Sequence, residues 1–285
     1  MTIREAITQA ASLLENAQIP DPRTDAEIIL SHVTGLDRLN MLISGAKELT
    51  AEQEQRFSSL LLSRTKREPL QYLLGEQFFY GLRFQVDSRV LIPRQETEEL
   101  CQWGIAHLRS LKKENLTALD LCTGSGAIAI TIKHECPFAQ VTAADLSTDA
   151  LEVAAGNARL NCVDVRFVQG DLWQPVADET FDLILSNPPY IPTQDCDTLQ
   201  QEVMQEPRMA LDGGLDGLDF YRRIANGALS HLSSDGMIAV EVGIGEAQDV
   251  SSLFTNAGLI DIQIIKDLYG VERIVSARRR SEDHV

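Results

Sequence analysis

The stretch LDLCTGSGAIAI, residues 119–130, decides how the rest of the chain is read. An apolar run leads into a glycine pair, Gly124 and Gly126, and a second apolar run of helical character leaves it. Glycine lets a backbone turn sharply and approach a ligand closely, and the helix that follows presents its free amide groups at the turn. A glycine pair after a strand also occurs where a chain merely turns, so the neighbouring runs must decide. The next one, QVTAADLS at 140–147, ends in Asp145. An acidic residue about twenty positions beyond the glycine turn is spaced to grip the two hydroxyls of a ribose.

These features suit any cofactor that carries adenosine, and three others argue against a dinucleotide. The turn lacks the third glycine of the dinucleotide fingerprint, and no arginine follows Asp145 to read a second phosphate. Asp120, just before the turn, would repel a pyrophosphate and attract a cationic amino-acid group. In VQGDLW, residues 168–173, Asp171 and Leu172 follow a third strand and suit the edge of an adenine. The set favours S-adenosylmethionine.

Working outward, apolar strands are expected near 117–122, 140–144, 164–168, 181–186 and 236–242, with helices over 126–136, 147–160 and 218–232. This alternation predicts an α/β domain, a mostly parallel sheet with helices on both faces. LIDIQII and GVERIVSA then read as a closing antiparallel hairpin. Ahead of the sheet, residues 1–75 read as a small helical bundle. Thr2 with Glu5 and Thr50 with Gln53 are capping-box pairs, and Asp21-Pro22 opens a helix between them. QFFYGLRFQVDSRVLIPR forms a hairpin around Tyr80-Gly81 that links the two parts, so the expected division is 1–75, 76–92 and 93–285.

Composition narrows the function. A net charge of −17 and a pI near 4.7 disfavour a chain that binds nucleic acid through a basic surface. Cys101, Cys122, Cys136, Cys162 and Cys196 lack CxxC spacing, which predicts neither a disulfide framework nor a metal site and suits a reducing cytosol. No signal peptide or membrane span is legible, and a cytoplasmic location is expected.

The strand FDLIL ends in SNPPY, residues 186–190. Two prolines donate no backbone hydrogen bonds and hold the preceding residues extended, so the strand stops at a stiff, open corner. Read locally, Asn and Pro form only a turn. Taken with LDLCTGSG, AADLS and GDLW, the corner resembles class I, Rossmann-like methyltransferases that modify an amide or exocyclic amine nitrogen. VLIPRQETEEL at 90–100, NPPYIP, and EPRMALDGGLDGLDFYRRI at 206–224 narrow the resemblance to the HemK/PrmC family of peptide chain release factor glutamine N5-methyltransferases.

The resemblance implies a seven-stranded, mostly parallel sheet behind an N-terminal helical substrate-recognition domain. It implies S-adenosylmethionine as cofactor, and as partner the GGQ-containing domain of release factors, with neither membrane nor nucleic acid involved. Cofactor residues are expected at Cys122, Thr123, Gly124, Ser125, Gly126, Asp145, Asp171, Leu172 and Asn187. Cys122 stands where many relatives carry glycine, and either Leu172 or Trp173 suits packing on the adenine. Arg94 and Glu98 are expected as supports of the cofactor pocket.

An amide nitrogen is a poor nucleophile because its lone pair is delocalised. Two acceptors, the Asn187 side chain and the Pro188 carbonyl, would hold its N–H bonds and stabilise the developing positive charge. Pro189 stiffens the corner and Tyr190 offers a flat face. None of the single histidines is expected to act as a base. The alternative is a methyltransferase for adenine N6 or guanine N2 in nucleic acid, using the same corner.

Overall fold

The computed structural model describes residues 1–280, which fall into two compact units. The first unit is Met1–Gly75 together with Gln200–Gln205, and the second holds Glu76–Leu199 and the described residues from Glu206 onward.

The first unit is helical: α1 (Ile3–Asn16), α2 (Pro22–Thr34), α3 (Arg38–Ile43), α4 (Ala51–Thr65) and α5 (Leu70–Leu74). Both expected capping boxes form, Thr2 with Glu5 and Thr50 with Gln53. Asp21 stands at the start of α2 but makes no side-chain capping bond there, leaving Pro22 to set the first turn. Ile3, Leu14, Ile29, Leu30 and Phe57 are almost wholly buried and form the core. Arg64 of α4 is buried between Asp25 at 2.7 Å and Glu202 at 3.0 Å, and Arg67 reaches the same Glu202 at 3.0 Å. A segment far along the chain is thereby bonded to the end of α4.

In the second unit, β1 (Glu76–Phe79) and β2 (Leu82–Gln85) form the antiparallel hairpin, with Phe79 and Phe84 meeting edge to face. Next come α6 (Glu96–Ser110), β3 (Thr117–Leu121), α7 (Ala127–Glu135), β4 (Gln140–Asp145), α8 (Thr148–Leu160), β5 (Arg166–Gln169) and β6 (Phe181–Ser186). The last elements among the described residues are α9 (Asp219–His231), β7 (Leu232–Glu241), α10 (Ala247–Asn256), β8 (Ile260–Lys266) and β9 (Glu272–Arg278).

Among the described residues, seven strands form one sheet in the order β5-β4-β3-β6-β7-β9-β8, parallel from β5 to β7, with β9 antiparallel to both its neighbours. Side chains alternate across it. Leu183 and Leu185 of β6 join the core under α6 and α7, while Ile184 joins the core under α9 and α10, as does Phe181 across a register shift between Phe181 and Leu183. Strand order reverses between β3 and β6, which opens a crevice beyond their carboxyl ends. The glycine turn and the proline corner both lie there.

α6 opens only at Glu96, three residues after Pro93. Pro93 and Arg94 lie outside any regular element, so Arg94 is part of the approach to the helix.

Candidate active site

Three strand ends build the site. β3 runs into Cys122, whose backbone takes a left-handed φ of 61°, and Gly124 follows at 53°. A side chain at Gly124 would meet nothing within 4 Å, so the turn faces open space. The end of β4 supplies Asp145, whose carboxylate accepts the Gly124 N–H at 2.8 Å and the Ser147 N–H at 2.9 Å. Burial raises the Asp145 carboxyl above its usual range while these donors pull it back. From β6 the chain passes to Asn187 and Pro189.

Cys122, Gly124, Asp145, Asp171, Leu172, Asn187 and Pro189 line one cavity of about 340 Å³. Val90, Leu91, Leu146 and Phe220 add apolar walls and Arg89 and Arg223 add positive charge, so acidic and backbone donor groups sit in a largely apolar cleft. That combination fits an adenosine: a carboxylate beside a glycine turn for the sugar hydroxyls, and Leu172 and Leu146 for a flat base. Leu172 takes a φ of 50° and is 6% exposed, while Trp173 turns away. The Trp173 indole donates to the Arg223 carbonyl at 3.1 Å and stacks on His231 at 4.5 Å. Leu172, not Trp173, is therefore the side chain offered to the cavity.

The other cofactor candidates support the turn from behind. Thr123 is buried and donates to Asp120 at 2.5 Å, the Ser125 carbonyl accepts from Asn157 at 2.9 Å, and Gly126 begins α7 packed against Ile130 and Ala154. Asp120 corrects an expectation. It is 2% exposed, does not line the cavity, and accepts from Thr123 and from the Ala129 N–H at 3.1 Å. Its carboxyl is pushed up to about 7 by burial, so it braces the turn instead of meeting a ligand's ammonium group. Burial also pushes the Cys122 thiol up, which rules against a thiolate nucleophile here.

Asn187 is half-buried, and its Nδ2 donates to Thr97 Oγ1 at 3.1 Å. Thr97 in turn donates to Glu241 Oε2 at 2.6 Å, at the end of β7. With Nδ2 engaged, Oδ1 is the end of the carboxamide left to accept from a ligand. Pro188 and Pro189 are buried, which makes the corner stiff. Burial raises the Tyr190 hydroxyl to about 12, so it stays protonated.

The glycine segment 213–217 fastens this corner. Ile191 donates to the Leu211 carbonyl at 2.9 Å and accepts from Gly213 at 2.8 Å. A side chain at Gly217 would lie 2.4 Å from the Tyr190 carbonyl oxygen, so only glycine allows that approach.

Arg94 and Glu98 do not line the cavity. Arg94 pairs with the buried Glu206, which also accepts the Ile92 N–H at 3.0 Å, and Glu98 accepts the Tyr80 N–H at 2.7 Å. Both hold loops in place. Sequence reasoning missed Arg223, which lines the cavity and pairs with Asp171 at 2.6 Å, as well as Thr97 and Glu241. Glu241 carried a usable signal: like Asp145, it is an acidic residue closing an apolar strand.

Comparison with known proteins adds to this geometry. A family profile described as the PrmC N-terminal domain matches residues 5–75, and one described as the methyltransferase small domain matches residues 105–218. A release factor glutamine methyltransferase of Geobacter sulfurreducens is 40% identical over 278 residues, covering 97% of this chain and 96% of the relative. One of Deinococcus radiodurans is 40% identical over 279 residues, covering 98% of this chain and 99% of the relative.

Among solved structures, a methyltransferase from Pyrococcus furiosus is 18% identical with a TM-score of 0.53, covering 81% of this chain and 100% of that one. The hMettl16 catalytic domain, in complex with the MAT2A 3'UTR hairpin 6, is 14% identical with a TM-score of 0.56, covering 81% and 82%. These two likenesses establish the methyltransferase fold of the sheet and its helices.

Proposed function

The chain belongs to the family of release factor glutamine methyltransferases, and from that premise we propose that it methylates the side-chain amide of the glutamine in the Gly-Gly-Gln tripeptide of release factors. S-adenosylmethionine, when bound, supplies an electrophilic methyl group on a cationic sulfur. Asp145, the Gly124 turn, Leu172 and Asp171 hold this cofactor in the cleft between β3 and β6. Cys122, Thr123, Ser125 and Gly126 shape the turn.

The observation that carries the reading is the orientation of Asn187. Its side chain shares a cavity with Gly124 and Asp145 and has its amino group committed to Thr97. Asn187 Oδ1 and the Pro188 carbonyl then accept the two N–H bonds of the glutamine amide. Held so, the nitrogen keeps more of its lone pair available, and the same acceptors stabilise the positive charge it gains. Pro189 keeps the corner rigid and the Tyr190 ring lies against the planar amide. The methylated amide is acidic while cationic and loses its proton to solvent, so no dedicated base is required.

The helical unit Met1–Gly75 serves substrate recognition in this reading. The net charge of −17 supports a protein substrate over a nucleic acid one, since affinity for a polyanion rests on cationic contacts.

Asn187→Ala tests it. The variant is expected to bind S-adenosylmethionine by calorimetry about as well as the parent and to lose turnover by roughly 10²–10³-fold, the scale of a missing transition-state hydrogen-bond partner. An equal loss of binding and turnover would assign Asn187 to the cofactor instead.

A further inference from the structure

Behind the corner, two buried side chains stand in line with Asn187, Thr97 directly and Glu241 through it. Thr97, in the first turn of α6, is 5% exposed, and Glu241, at the end of β7, is 2% exposed. They form a chain with Asn187: Asn187 Nδ2 donates to Thr97 Oγ1 at 3.1 Å, and Thr97 donates to Glu241 Oε2 at 2.6 Å.

A hydroxyl has one hydrogen to give, and an ionised carboxylate only accepts. An ionised Glu241 therefore takes the Thr97 hydrogen, and Thr97 can then only accept from Asn187. The carboxamide is left with one permitted orientation, Nδ2 inward and Oδ1 outward. A flipped Asn187 would set its own N–H bonds against those of the substrate amide and put two acceptors together at Thr97.

We propose that Thr97 and Glu241 are positioning residues that fix which end of the Asn187 carboxamide meets the substrate. The inference rests on the acceptor role given to Asn187 above. Its consequence is a dependence on the charge of Glu241. A protonated Glu241 has both a donor and an acceptor oxygen, so it no longer dictates the direction of the Thr97 hydrogen bond. Full burial pushes this carboxyl up to about 7. The charged groups that bear on it are Arg94 ahead of α6, Glu96 in its first turn and Arg273 of β9, with Glu96 raising it and the two arginines lowering it, while the buried Cys101 thiol of α6, itself raised, faces it uncharged. Tyr190 and Tyr221 face it as neutral phenols, and Tyr221 donates to the Glu241 main-chain carbonyl at 2.9 Å.

The test uses the full chain with unmethylated release factor and saturating S-adenosylmethionine, with kcat, KM and cofactor affinity measured for each variant. Thr97→Val, close to isosteric, is expected to lower kcat about tenfold or more, the scale of one lost hydrogen bond, while cofactor affinity is unchanged. Thr97→Ser restores kcat. The parent's kcat falls as pH drops through about 7. Glu241→Gln, which cannot ionise, is expected to hold the parent's low-pH rate at every pH.

Glu246 stands near Tyr190 and is also raised to about 7 by burial, so Glu246→Gln is the control and keeps the acid limb. Thr97→Val as fast as the parent beside an inactive Asn187→Ala overturns this inference alone, as does an acid limb lost in Glu246→Gln and kept in Glu241→Gln. Asn187→Ala as fast as the parent overturns the underlying reading and this inference with it.

Discussion

Cys122 holds a left-handed backbone, φ 61°, at a position where a residue with a Cβ is strained by about 1–2 kcal/mol. Glycine there would relieve the strain but lose more entropy on folding, about 0.5–1 kcal/mol. Cys122→Gly is therefore expected to raise stability by up to about 1 kcal/mol, read as a later midpoint in urea, with cofactor affinity unchanged. A loss of stability would mean that the packing of the thiol outweighs the strain. The composition of the turn was legible because its glycines and Asp145 sit at a spacing that a ligand imposes. The choice between Leu172 and Trp173 was not, because it depends on α9: Trp173 finds its partners in the Arg223 carbonyl and the His231 ring, distant in sequence. Asp120 misled for a related reason. Its charge and position were plain, but the depth that turns it toward Thr123 and Ala129 is set by how α7 packs.

At the scale of elements, the segment carrying Gly213, Gly214 and Gly217 is a strap behind the corner, hydrogen-bonded to Ile191 on both sides of its backbone. A methyl at Gly217 would lie 2.4 Å from the Tyr190 carbonyl oxygen and 2.7 Å from a Glu246 carboxylate oxygen, at a φ of 80° that also disfavours alanine. Gly217→Ala is expected to displace Tyr190 and its neighbours and to cost turnover on the order of 10²-fold, as a misplacement of about 1 Å does, with much less effect on cofactor affinity. Unchanged turnover in steady-state kinetics would mean that the strap yields without moving the corner. The strands and most of the longer helices were readable because their apolar periods are long enough to declare themselves, but the ten residues of α10 were not expected. α3 and α5 were missed, since six and five residues hold too few turns to establish a period. Ahead of α6, the Arg94–Glu206 ion pair and the Ile92 N–H bond to Glu206 hold the approach in place, and neither bond can be read from the sequence.

The whole molecule couples site and stability through pH. Burial holds Asp120 and Glu241 at about 7, above the unfolded range, so between pH 4 and 7 the folded chain keeps protons that the unfolded chain has released. Stability thus falls as pH rises through this window, by up to about 1.4 kcal/mol per pH unit for each such group. Self-repulsion at a net charge of −17 acts in the same direction. Urea unfolding without cofactor is expected to give lower stability at pH 8 than at pH 6, with Asp120→Asn reducing the difference; equal stability would contradict both assignments. At this scale the sequence conveyed a mostly parallel sheet closed by an antiparallel hairpin and helices in the first 75 residues, but neither the order of the strands nor that Gln200–Gln205 joins the first unit through Glu202, a contact 138 positions from Arg64. No helix among the described residues is long and apolar enough to cross a membrane. The most direct measurement is mass spectrometry of unmethylated release factor incubated with the protein and S-adenosylmethionine, beside a release factor whose Gly-Gly-Gln glutamine is replaced. One methyl group gained on that glutamine, and none on the replaced factor, is the predicted result. A methyl on both factors, or on neither while the cofactor binds, would contradict the assignment of the glutamine amide as the acceptor.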